Sequence, residues 1–195
     1  MTEFTVRPAT LSDCGYVDDL QKKNAEELSF YPAAVFEREV KNGRIVLAEI
    51  NNEPCGYLYH GAFRERLKIH QACIQYDARG VLYGSALVRF LVALAEGCGC
   101  LSITLRCGSD IDANAFWKAM GFYCQSVTPG GVRRMRDINE WRYDISNQLF
   151  QTTADASLKK QDASIWRNRS INLGNQFLRG KALLDYRKKI VEKVK

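Results

Sequence analysis

The 195-residue chain, 46% hydrophobic and 26% charged, has the length for one domain of ordinary size plus an appendage and the composition for a packed core. Its net charge of +6 is uneven: residues 159–195 carry eleven Lys and Arg against three Asp and Glu, a balance of +8, while residues 1–158 carry seventeen against nineteen, a balance of −2. No run of about 18 apolar residues offers a membrane span, and Met1-Thr-Glu-Phe-Thr-Val-Arg7 lacks the basic patch and apolar stretch of a secretory leader, so the cytoplasm is the expected place, with no membrane contact.

Phe4–Pro8 alternates apolar and polar residues and predicts a strand. Thr10-Leu-Ser-Asp13 supplies N-capping oxygens for a helix through about Glu27. Phe30-Tyr31-Pro32 breaks it, and a second, shorter helix runs to about Lys41 and stops at Asn42-Gly43. Two strands, Arg44–Ile50 and Cys55–Gly61, are joined by Asn51-Asn-Glu-Pro54 into an antiparallel hairpin. Leu67–Tyr76 is a further strand. Tyr83–Ala95 is an apolar helix, with Leu87, Phe90, Leu91 and Leu94 at helical spacing. A strand over Leu101–Arg106, a short helix over Ala113–Ala119, a strand from Gly121-Phe122, a turn at Thr128-Pro-Gly-Gly131 and a last strand over Val132–Ile145 complete the pass. The order β-α-α-β-β-β-α-β-α-β-β mixes hairpins with crossovers. It predicts an α/β fold around a mixed, mostly antiparallel twisted sheet flanked by helices, filling residues 1–150.

Residues 151–164, rich in Thr, Asp, Ser and Lys, read as a linker, and residues 165–195 as a basic, partly helical C-terminal extension with too few apolar residues for its own core. Clustered lysines and arginines release counterions from phosphates and so point to nucleic acid; a solvated terminal helix has the same composition. A homodimer through this tail is in keeping with it. The seven cysteines, an odd number, sit mostly in apolar runs and read as buried thiols of a reducing compartment. Cys98-x-Cys100 has no second pair at zinc spacing, so packing is favoured over a metal, and no metal site is expected.

Chemistry concentrates in residues 69–88, where a strand ends, a loop with glycines follows and a helix begins. Such a loop exposes backbone N–H groups at the positive end of the helix dipole, a geometry that binds pyrophosphate. Gly80 and Gly84 allow close approach, and Ser85 and Ala86 are small enough not to block it. Arg79-Gly80 and Gly84-Ser85-Ala86-Leu87 resemble the Arg/Gln-x-x-Gly-x-Gly/Ala signature of the GCN5-related N-acetyltransferase family, with Leu82 in place of its central glycine. Phe116-Trp-Lys-Ala-Met-Gly-Phe122 is similar to that family's Phe-Tyr-x-x-x-Gly-Phe. The resemblance covers residues 3 to about 145.

What the resemblance implies is an acyl-CoA N-acyltransferase fold and transfer of acetyl from acetyl-CoA to an amine by direct attack on the thioester. It gives the coenzyme to Ile74, Tyr76, Arg79, Gly80, Tyr83, Gly84, Ser85 and Ala86 around the loop, and to Asn114 and Trp117 on the short helix. The family's usual acid is the tyrosine of its Phe-Tyr pair. Trp117 stands there, and an indole cannot protonate a departing thiolate. Tyr83, Tyr123 or water takes that part, the thiolate leaves unassisted, or the fold serves as a binding module without turnover. His70, on the strand that lines the family's cleft, is the candidate base, with a strand-edge polar residue as the alternative. Asp110, at the end of the next strand, is a second candidate, or else a cap of the short helix. Gln71 is expected on the opposite face from His70.

Phe30 and Tyr31 are expected either to wall the acceptor site or to plug the core. Arg133, Arg134, Arg136, Asn139 and Trp141 gather cations, an amide and a ring near one turn, a mix that suits a nucleotide or phosphate; a twisted edge strand with solvated arginines is the alternative. The acceptor expected is thus an amine, with a nucleic-acid acceptor, as in acetyltransferase-like proteins of bacteria and their phages, as the second reading.

Overall fold

Among the described residues the elements follow one another in the order read from the sequence: β1 (Phe4–Pro8), α1 (Cys14–Lys23), α2 (Ala33–Lys41), β2 (Ile45–Ile50), β3 (Glu53–Phe63), β4 (Arg66–Ile74), α3 (Tyr83–Gly97), β5 (Ser102–Gly108), α4 (Ala113–Ala119), β6 (Tyr123–Pro129) and β7 (Asp137–Asp144). The structure, a computed structural model, describes residues 3–63, 65–131 and 135–145, all within one compact unit, Met1–Ile145. The expected linker and basic extension, with Arg133 and Arg134, lie outside the described residues. No helix in the described residues is long and apolar enough to cross a membrane.

Element boundaries differ from expectation where a side chain or turn intervenes. α1 stops at Lys23 instead of Glu27, because the Asn24 side chain donates to Leu20 O (2.8 Å) and its backbone leaves the helical region. The β2–β3 turn is only Asn51-Asn52, with φ of 50° and 67°, so Glu53 and Pro54 join β3. Asparagine tolerates that left-handed region better than most residues, and the resulting twist matches the hairpin. β7 begins at Asp137 instead of Val132, and Thr128-Pro129 belong to β6.

The seven-stranded sheet has the order β1-β2-β3-β4-β5-β7-β6, and only β4 and β5 pair in parallel. On one face Val17, Leu20, Phe36 and Val40 of α1 and α2 pack with Ile45, Leu47, Tyr57 and Tyr59. On the other, α3 buries Leu87, Val88, Leu91 and Leu94. Ile45 to Glu49 of β2 are therefore buried without a break, as expected of a strand covered on both faces.

Two irregularities position the site. The register of β3 on β4 passes from Tyr59↔Gln71 to His60↔Ile69, which leaves His70 as an extra residue in β4, a β-bulge. The pairing of β4 with β5 covers only Arg66–Lys68 against Ser102–Thr104, although β4 runs on to Ile74 and β5 to Gly108. Past Lys68 the two strands part.

Candidate active site

A cavity of about 720 Å³ opens where β4 and β5 separate. Lys68 to Ala72 form one wall, and Leu105 to Gly108 the other. Residues 27–31, between α1 and α2, close it on one side, and Ile111, Ala113 and Trp117 on another. Pro129, Gly130, Gly131, Arg136 and Ile138 complete the lining.

His70 lies in this cavity. Its ring stacks on Tyr59 (centroids 4.6 Å apart, 23°) and meets Tyr31 edge-on (6.2 Å, 83°), with the Tyr31 hydroxyl 3.4 Å from Nδ1. Gly61 makes room for it: a Cβ there would stand 2.7 Å from His70 Nε2. Burial, then the nearby Lys68, hold the imidazole below its ordinary pKa; Arg44 adds to this and Glu39 opposes it. His70 is therefore neutral at pH 7.

Gln71 corrects an expectation. The extra residue breaks the two-residue alternation, so His70 and Gln71 both face α1 and the loop behind it. Gln71 is 2% exposed; it accepts from Tyr57 Oη (2.8 Å), donates to Gln21 Oε1 (2.9 Å) and bonds Ser29 O. Gln21 in turn holds both the N–H and the C=O of Tyr31 (2.7 and 2.9 Å). This buried chain pins Tyr31 beside His70. Sequence reading missed it, because nothing local says that Gln21 and Gln71 meet.

Phe30, 65% exposed, and Tyr31 wall the cavity; burial raises the Tyr31 phenol, which keeps its proton at neutral pH. Trp117 is buried between Phe116 and Phe122, each ring edge-on to it, and lines the cavity. Cys107 also lines it, and burial pushes its thiol up to about 11. Tyr83 is not brought there: its ring stacks on Phe4 of β1 (4.7 Å, 19°). Tyr123, half exposed, donates its hydroxyl to Asp144 (2.8 Å). Asp110 neither lines the cavity nor caps α4; it lies 3.4 Å from Arg136 Nη1.

Asn114 turns out to be a structural node. Its Nδ2 donates to Gly108 O and Ile111 O (both 2.7 Å), and its Oδ1 accepts from Asn139 Nδ2 (3.0 Å) and Trp141 Nε1 (2.9 Å). Trp141 is 7% exposed: strand alternation turns Asn139 and Trp141 together onto α4, so this ring is not open for stacking. Arg136 reaches the cavity. Lys68 and Arg106, which the sequence reading did not single out, reach it too. The strand period was the available signal for Lys68, two residues before His70.

The loop before α3 keeps the expected shape. Gly80 has φ +83°, and Leu82, where the signature has glycine, is held at φ 65°, ψ 5°. The N–H groups of Tyr83, Gly84 and Ser85 have no partner among the described residues; that of Ala86 bonds Leu82 O (3.0 Å). Gly84 faces Phe116 of α4, whose Cζ a Cβ would meet at 3.4 Å, and Ile74 at the end of β4, so this helix start borders the parted strands. Arg79 lies over the exposed Tyr76 ring (5.7 Å), donates to Ile74 O (3.1 Å) and Asn24 Oδ1 (2.9 Å), and stands 3.8 Å from Glu27. Among the described residues no three His, Cys, Asp or Glu side chains are grouped to hold a metal ion.

Known proteins share this fold. Ard1 from Thermoplasma volcanium superposes with a TM-score of 0.66 at 16% identity, over 73% of this chain and 97% of that one. The yncA protein of Salmonella typhimurium, solved with its cofactor acetyl-CoA, gives 0.65 at 16%, over 79% and 99%. The ribosomal-protein-S18-alanine N-acetyltransferase of Escherichia coli gives 0.63 at 14%, over 74% and 95%. At these identities the likeness is one of fold. No curated protein matches the sequence. The sequence model of the acetyltransferase (GNAT) family matches residues 11–122, a span that takes in both the strand-to-helix loop and Phe116–Phe122, and the chain belongs to that family.

Proposed function

We propose that the chain transfers an acetyl group from acetyl-CoA to a primary amine by direct attack. The observation that carries this is the parting of β4 and β5 beside a helix start whose first N–H groups have no partner among the described residues. Those groups, at Tyr83, Gly84 and Ser85, suit the pyrophosphate. Trp117 and the strand ends border the space for the acyl-bearing arm. Acetyl-CoA, when bound, supplies an activated thioester.

His70, neutral and facing the cavity, takes the proton that the acceptor ammonium must lose. Trp117 cannot protonate the leaving thiolate. Tyr31 is the phenol that lines the cavity among the described residues, so Tyr31 or water returns a proton. The raised Cys107 thiol stays protonated at pH 7, which favours direct attack over an acyl-cysteine route.

The test is calorimetric titration of acetyl-CoA into the full chain, followed by measurement of CoA thiol release with a panel of primary amines. Saturable binding and amine-dependent release are the expected results. Binding without release from any amine supports a binding module instead, and no binding ends the enzyme reading.

A further inference from the structure

Resting on that acetyltransferase reading, we propose that the amine acceptor also carries an anionic group, a carboxylate or a phosphate, and that Lys68 with Arg106 receives it. Lys68 and His70 are two residues apart on β4, so their side chains leave the same face. The parallel pairing sets Lys68 beside Thr104, and Arg106 lies two residues beyond Thr104 on the same face of β5. The strands part from there, so the two cations flank the opening into which His70 faces.

The lining formed by the described residues holds three cations, Lys68, Arg106 and Arg136, and one carboxylate, Glu27. Arg106 and Arg136 each have a carboxylate at 3.4 Å, Glu140 and Asp110, on the rim. Lys68 is exposed, and its side chain forms no ion pair or hydrogen bond among the described residues. Its ammonium is close enough to His70 to disfavour the imidazolium.

An acceptor with only positive charge meets like charge on both strand walls, and bringing like charges together in a partly dry cavity is costly. An amine that also bears an anion satisfies Lys68 and leaves its amino group for His70. The cavity, about 720 Å³, is the size of a small-molecule site and not of an extended surface.

The experiment follows thiol release by the full chain with acetyl-CoA and pairs of amines that differ only in the anion: β-alanine against propylamine, and phosphoethanolamine against ethanolamine. The anionic member of at least one pair is expected to have a kcat/KM about tenfold or more above its partner, the order of magnitude of one charge-assisted hydrogen bond. Which pair shows the advantage separates carboxylate from phosphate. Lys68→Gln, at an exposed position, removes most of the advantage by raising KM for the anionic amine, Lys68→Arg keeps it, and Lys68→Glu reverses it. Equal or better use of the neutral amines, an advantage undiminished in Lys68→Gln, or acetyl-CoA binding with no anionic amine acetylated each overturns the proposal. Absence of acetyl-CoA binding overturns the acetyltransferase reading itself, and this proposal with it.

Discussion

His70 stands on rings and not on a carboxylate. Tyr59 and Tyr31 hold its plane, and burial with Lys68 keeps it neutral. Because its pKa lies below the ordinary imidazole value, the free base forms as pH rises through that lowered value and predominates at neutral pH. The kcat/KM for an amine is therefore expected to have an acid limb below neutrality that His70→Gln abolishes, with a loss on the order of 10²-fold at pH 7.5. A rate–pH profile of both proteins checks it; an unchanged limb would assign the base elsewhere. Asp13 makes a structural contribution. It accepts from Arg7 (2.8 and 3.1 Å) and from Thr10 N and Oγ1 (both 2.7 Å), and the Arg7 bond above all lowers its carboxyl to about 2. A lowered folded pKa stabilises above the unfolded value of about 4, and that stability is lost as pH falls through about 2. Arg7 is a third exposed, so screening leaves about 1 kcal/mol. Asp13→Asn should cost that much by urea unfolding at pH 7, with the gap closing between about pH 4 and pH 2.

At the scale of elements, α4 is the clearest case of a helix that its surroundings make. Seven residues are too few to hold a helix in water. Asn114 ties the first turn to Gly108 O and Ile111 O and receives the indole of Trp141, while Trp117 packs between Phe116 and Phe122. Asn114→Ala takes one donor from those carbonyls, which keep their backbone donors, and deprives the buried Trp141 N–H and the Asn139 amide of their acceptor, which should cost about 1–3 kcal/mol. Chemical denaturation measures the loss. Because α4 carries Trp117 into the cavity wall, KM for acetyl-CoA should rise as well. The α3 start shows the opposite economy: Leu82 keeps the left-handed conformation that the signature gives to glycine, against its own steric preference.

At the scale of the whole molecule, element order and the identity of the family's two motifs could be read along the chain. Periodicity, capping residues and turn residues act over a few positions, so Phe4–Pro8, Ala113–Ala119 and the hairpin at Asn51-Asn52 were legible, and the mixed sheet followed from their order. What only the fold decided is which side chains converge. His70 meets Tyr31 thirty-nine positions away, Gln71 meets Gln21 at fifty, and Lys68 comes beside β5 through a parallel register of three pairs. One unpaired residue at the β3–β4 register moved Gln71 to the face of His70, and one register on β5 turned Trp141 inward. Local propensity is a property of neighbours in sequence. Register is a property of neighbours in space, and a shift of a single residue reverses which face a side chain takes.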